Sequence, residues 1–297
     1  METQIAEKPE AATSSENDLT EAGNAARLVE RFGMDFRYVI EWAEFIVWDG
    51  TRWKRDPEGL GLMQFAKQTA NSIHDEARAF DDVEKAKPVS KHAYNSRSAR
   101  ALAAMVRLAK DEPGVAVNAE DLDTNHWLLP CPNGTVDLRT GELCKSRRED
   151  MCTMLAGVPY DSGATLSETS AVFLGWVTRD RDDLAGYLQR ALGYTLTGDV
   201  SERLLFLMLG PKGSNGKSTL LALVRHILGD YSKRTGMATL ERQQFSRDAS
   251  APAEHIVRLK GARIVTAVES EEDMQLSAAK LKELVGGAGE AISGSSR

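Results

Sequence analysis

Residues 204–223 read LLFLMLGPKGSNGKSTLLAL, and the residue types in this run define a chemistry. Glycines stand at 210, 213 and 216, an amine at Lys217, and hydroxyls at Ser214, Ser218 and Thr219, with an amide donor at Asn215. Glycine lets backbone N–H groups approach an anion with no Cβ in the way. The N-terminus of the helix that follows adds the positive end of its dipole. In such a loop Lys217 supplies charge to the β- and γ-phosphates of a nucleoside triphosphate, and Ser218 supplies a hydroxyl to Mg2+. The candidate binding residues are Gly210, Gly213, Ser214, Asn215, Gly216, Lys217, Ser218 and Thr219. The pattern G-x-x-x-x-G-K-[ST] puts its first glycine at 211, where this chain has Pro211, so Gly210 stands one place early. The alternative is a Gly-Lys pair in an ordinary strand-to-helix turn.

A phosphate loop alone hydrolyses nothing. A second strand must bring acids that hold the metal and orient water. GARIVTAVESEED, residues 261–273, offers one: Ile264–Val268 reads as a short buried strand with Glu269 at its carboxyl end. Ligands of open α/β sheets sit at the carboxyl ends of strands. Glu269 would therefore share an edge with the loop and contact the metal or polarise water. The alternative is a solvated acidic turn, ESEED, that caps the next helix.

The elements that must position these residues are legible as patterns. Arg203–Leu209 is a continuous apolar run, as in a strand buried on both faces of a parallel sheet. LLALVRHILGD reads as a helix ended by Gly229. Upstream, EAGNAARLVERFG predicts a helix stopped by Gly33, and Leu60–Ala79 predicts another. Asp49-Gly50, between Trp48 and Trp53, predicts a hairpin turn. Residues 92–110 predict one amphipathic helix, with Leu102, Met105, Val106 and Ala109 on one face and Arg97, Arg100, Arg107 and Lys110 on the other. The basic face reads as solvated surface, with contact to DNA phosphate as the alternative. Residues 127–143 predict strands and turns at Asn133-Gly134 and Thr140-Gly141. Residues 168–194 predict helix ended by Gly193, and 195–203 a polar connection at a domain boundary.

The expected organisation is a polar tail over 1–20, an associated domain over 21–194 and a P-loop core over 195–297. At 297 residues the chain has room for about two domains. The fold class expected is α/β: a P-loop parallel sheet preceded by a mostly helical α+β domain. A net charge of -7 excludes a whole-surface nucleic-acid binder and confines any DNA grip to a patch such as Lys145, Arg147 and Arg148 or the 97–110 face. The three cysteines form no CxxC pair, so neither a zinc ribbon nor a disulfide framework is expected, and a reducing, cytoplasmic setting fits. No apolar run approaches the ~20 residues that span a bilayer.

Taken together, GPKGSNGKST, HILGDY (226–231), LKGARIVTAVESEED and KLKELVGG (280–287) resemble the helicase core of superfamily 3. The resemblance is to the phage/plasmid primase–helicase type, related to the poxvirus primase–helicase. WAEFIVWDGTRWKRD, CPNGTVDLRTGEL and YLQRALGYTLTGDVSER are similar to the domain that precedes the ATPase core in that family. The resemblance implies an ATP-driven motor with Mg2+, a ring of copies (a hexamer where the core is complete), single-stranded DNA as track, and a RecA/AAA-like sheet. It implies a role in phage or plasmid replication, encoded by a phage or mobile element and located in the bacterial cytoplasm. By that resemblance Lys217 and Ser218 match the first motif, and Glu269 and Glu271 the acidic second one, with the water-activating acid open between them. The family's core continues with a sensor strand and basic residues, and its pattern is lost here after Gly287, so the expected core is incomplete at its C-terminus. The expectation on function is an ATP-dependent DNA helicase. The alternative is a nucleotide-binding protein without turnover that associates with a replication complex. A small-molecule kinase fits less well, because no lid is evident. No primase module is visible, so a primase or replication initiator would be a partner chain.

Overall fold

The computed structural model describes residues 18–199, 201–210, 215–236, 259–268 and 277. It divides into two units: residues 1–48 with 54–119, and residues 49–53 with 120–297.

In the first unit, α1 (Glu21–Phe32) starts at Thr20, whose hydroxyl accepts the Gly23 N–H at 3.1 Å, and stops at Gly33 as expected. Strands β1 (Phe36–Val39), β2 (Glu44–Trp48), β3 (Trp53–Asp56) and β4 (Ala116–Val117) form a sheet in the order β3-β2-β1-β4. β1 pairs antiparallel with β2, with Phe36 opposite Val47, and parallel with β4. The hairpin at Asp49-Gly50 forms where expected: Asp49 Oδ1 accepts the N–H groups of Thr51 and Arg52, both at 2.9 Å. Helix α2 (Leu60–Arg78) lays Leu62 and Ala66 against Leu28 of α1, Phe36 of β1 and Met105 of α4 (Ala99–Ala109).

Residues 92–110 are two helices rather than one. α3 (Val83–Ser96) ends, and Ser98 caps α4 by accepting the Ala101 N–H at 3.3 Å. A serine that competes for backbone donors starts a new helix more readily than it continues an old one. The apolar face is as expected, with Leu102, Met105 and Ala109 buried.

Polar groups are buried beside this core. Asn24 is 1% exposed, and its Nδ2 donates to Ser96 Oγ at 2.9 Å. His92 Nε2 lies 2.9 Å from Asn24 Oδ1, and Arg27 donates to Glu76 and to the Asp18 carbonyl. Burial and the Arg27 charge hold the His92 pKa below its ordinary value, against the opposing pull of Asp18 and Glu76. A histidine whose folded pKa is depressed leaves the unfolded chain holding more protons between the two pKa values. Its stabilisation is therefore complete above the unfolded value and is lost as pH falls through the folded one. The thermal unfolding midpoint is expected to drop from about pH 7.5 to about pH 5.5, and His92→Gln is expected to flatten that drop. An unchanged slope in the variant would assign the titration to other groups.

In the second unit, β5 (Leu128–Cys131), β6 (Gly134–Asp137) and β7 (Glu142–Cys144) form the antiparallel meander that the turn signals predict. The 168–194 stretch is two helices, α5 (Glu168–Thr178) and α6 (Asp182–Thr197). They part at Arg179 and Asp180, both left-handed at φ 54°. Gly193 lies inside α6, which runs on to Gly198. Helix α7 (Lys217–Leu228) ends at Gly229 as expected and leads into β8 (Ser232–Gly236), which pairs parallel with β9 (Ile264–Val268). Leu220, Val224 and Leu228 of α7 pack with Leu129, Val136 and Tyr231.

The apolar run Arg203–Leu209 is not a buried strand. It is irregular, with Leu207 65% and Leu209 89% exposed. An inner parallel strand needs ladder partners, and among the described residues β8 and β9 pair only with each other. The architecture is thus mixed α/β with small sheets. No described helix is long and apolar enough to cross a membrane.

Candidate nucleotide site

Helix α7 begins at Lys217, three residues before the Leu220 at which the apolar helical pattern sets in. Gly216 precedes it in a left-handed conformation, φ 76° and ψ -4°, which glycine adopts without strain. The N-cap residue, Gly216, has no side chain with which to cap the first-turn N–H groups. Three of the expected residues come together here. A Cβ on Gly210 would lie 3.0 Å from Lys217 Nζ and closer still to Asn215 Nδ2. The early placement of Gly210 therefore does not take it out of the loop. Lys217 is half-buried, whereas Ser218 and Thr219 are exposed. Gly213 and Ser214 lie outside the described residues.

The strand expected to carry the acids also forms. The register runs from Ser232 opposite Ile264 to Gly236 opposite Val268. Thr266 is buried, but Val265 is 42% exposed, so β9 is not enclosed on both faces. The end of α7 and the starts of both strands lie together, because the Arg263 N–H donates to the Tyr231 carbonyl at 2.8 Å. Arg225 of α7 then reaches Thr266 of β9 at 3.4 Å. Glu269 directly follows Val268, and Glu269 and Glu271 lie outside the described residues.

Three bracing features were not legible in the sequence. First, the end of α5 presses on the loop: a Cβ on Gly216 would lie 2.7 Å from Val177 Cγ2 and 2.8 Å from Trp176 Cζ3. Second, residues 153–157 strap the end of α7. Gly157 N–H donates to the Ile227 carbonyl at 2.8 Å, Asp230 N–H to the Leu155 carbonyl at 3.0 Å, and Arg52 pairs with the Asp230 carboxylate. Third, Arg263 is half-buried at the start of β9. It donates to the Leu196 carbonyl and, at 2.6 Å, to the Leu128 carbonyl, and it lies 4.3 Å from the centre of the Tyr231 ring. Burial lowers its pKa. Burial also pushes the Cys152 thiol up to about 12 and the Cys131 thiol up to about 11, which leaves neither as a thiolate nucleophile. Arg263, Tyr231 and Cys152 line a cavity of about 270 Å³ with Asp123 and His126.

The basic positions are spread over ordinary surface. Arg97, Arg100 and Arg107 are exposed, Lys110 lies over the Tyr38 ring at 5.6 Å, and Arg147 pairs with Asp150 at 2.7 Å.

Residues 25–179 match the family model described as D5 N terminal like. The chain belongs to the D5 N-terminal-like family. The expected resemblance to primase–helicases of the poxvirus type is borne out at that level. The D5-type region contains the strap and ends at Arg179, the cap of α5, so Trp176 and Val177 are its last contribution to the loop. A protein of Acanthamoeba polyphaga mimivirus, "Putative helicase L207/L206", is 26% identical over 170 residues, 56% of this chain and 17% of that protein. The chain therefore spans a small part of that relative's length.

Proposed function

We propose that this chain is the nucleotide-handling part of an ATP-dependent DNA helicase of phage or plasmid replication. The observation that carries the proposal is the meeting of Gly210, Asn215 and Lys217 at the start of α7. That set fits a triphosphate: a Cβ at 210 would fill the cradle, and the donors are an amine, an amide and helix N–H groups. Lys217 would hold the β- and γ-phosphates, and the 210–219 loop would wrap them. Ser218 and Glu269 would hold Mg2+, which neutralises phosphate charge when bound. Glu269 or Glu271 would orient the attacking water. Hydrolysis would drive movement on single-stranded DNA, with copies of the chain in a ring and a primase or initiator as partner.

The test is ATP binding and steady-state turnover, with and without single-stranded DNA, beside Lys217→Ala. Turnover that DNA stimulates and that falls about 100-fold or more in the variant is expected. Equal binding and turnover in both proteins would overturn the proposal. Binding without turnover in the parent would keep the site and remove the motor.

A further inference from the structure

We infer that Trp176 is the platform on which the base of the nucleotide stacks, so that the site selects a nucleoside triphosphate over bare polyphosphate. This deepens the nucleotide reading above and rests on it. Trp176 lies in the last turn of α5 and is 56% exposed. The other four tryptophans are buried or half-buried. Leaving a large aromatic in water forgoes its burial. This one is left in water beside the glycine that precedes Lys217.

The indole is held rather than loose. Its Cζ3 edge lies against the Gly216 backbone, 2.8 Å from where a Cβ would stand. Phe173, one turn earlier, has its ring centre 6.4 Å away at 41° and its own Cε2 3.4 Å from the same point. One edge of the ring is therefore fixed by the loop and by Phe173, and the remainder faces solvent. A triphosphate gripped at Lys217 extends its sugar and base away from the loop. The base is flat and aromatic, and an indole face needs no hydrogen-bond match to hold it. Base–aromatic stacking changes affinity by about five-fold to over a hundred-fold when the aromatic is cut to alanine, and every base has a face to stack.

The test compares ATP with inorganic tripolyphosphate by titration of the full chain, for the parent, Trp176→Ala and Trp176→Phe. The parent is expected to bind ATP about five-fold or more tighter than tripolyphosphate. Trp176→Ala should erase that preference by weakening ATP more than tripolyphosphate, whereas Trp176→Phe should keep most of it. If Trp176→Ala weakens both ligands equally, or if the parent shows no preference, the tryptophan only braces the loop and the inference is wrong. If the parent binds neither ligand, the nucleotide reading itself falls and this inference with it. Trp176→Phe decides the matter if the alanine variant fails to fold.

Discussion

Gly216→Ala is expected to raise the Kd for ATP by at least about 30-fold and to lower the unfolding midpoint of the second unit. The added methyl meets two costs at once. The residue stands at φ 76°, where a Cβ crowds the following carbonyl at about 1–2 kcal/mol. Its Cβ would also lie 2.7 Å from Val177 Cγ2 and 2.8 Å from the Trp176 ring, an overpacking of about 1–3 kcal/mol. Relief requires either that α5 withdraw or that the start of α7 rotate, and both move Lys217. Gly193→Ala is the matched control. It lies inside α6 with nothing within 4 Å of the new atom, and the better helix former should stabilise by about 0.5–1 kcal/mol. Unchanged ATP affinity in Gly216→Ala would mean that the left-handed glycine does not shape the site.

The contrast between these two glycines shows what a sequence carries. Features set by neighbours a few residues apart were legible: the Asp49-Gly50 hairpin, the stop of α1 at Gly33 and the end of α7 at Gly229. Each rests on a local steric or hydrogen-bonding demand. Gly193 was misread as a stop because glycine ends a helix only where the chain must turn left-handed, and there it stays helical. The break at Arg179 and Asp180 had no such residue to announce it, since both adopt positive φ without being glycine. The run Arg203–Leu209 was apolar enough for a buried strand, yet apolar composition does not supply a ladder partner. For the site, Lys217, Asn215 and Gly210 could be named from their order along the chain. The approach of Trp176 to Gly216 could not, because it joins residues forty positions apart that share no periodic signal.

Arg263 illustrates the same limit and carries the second large expectation. It stands in GARIV as one more cation before a strand, and nothing local distinguishes it from a solvated one. In the fold its guanidinium binds the carbonyls of Leu128 and Leu196 and lies 4.3 Å over Tyr231, and Gly198 leaves room for its stem. Hydrogen bonds from a charged group contribute about 1.5–3 kcal/mol each, and a desolvated cation over an aromatic ring about 2 kcal/mol. Removing a half-buried charge returns part of its desolvation cost. The net expectation for Arg263→Met is a loss of about 2–4 kcal/mol, read as a lower urea midpoint. Arg263→Ala should lose more, because it also empties the space beside Gly198 and Tyr231. Lysine is a poor substitute, since one ammonium on a flexible stem does not span two carbonyls as the planar fork does. The consequence reaches the site through β9. Arg263 fixes where that strand begins, and Glu269 follows its last residue, Val268, in the sequence. Under the proposed function, Arg263→Met at a temperature where it remains folded should depress ATP turnover more than ATP binding, because Lys217 on α7 is left in place while the acids lose their anchor. A variant that unfolds like the parent, or that loses binding and turnover in equal measure, would sever Arg263 from the acidic edge.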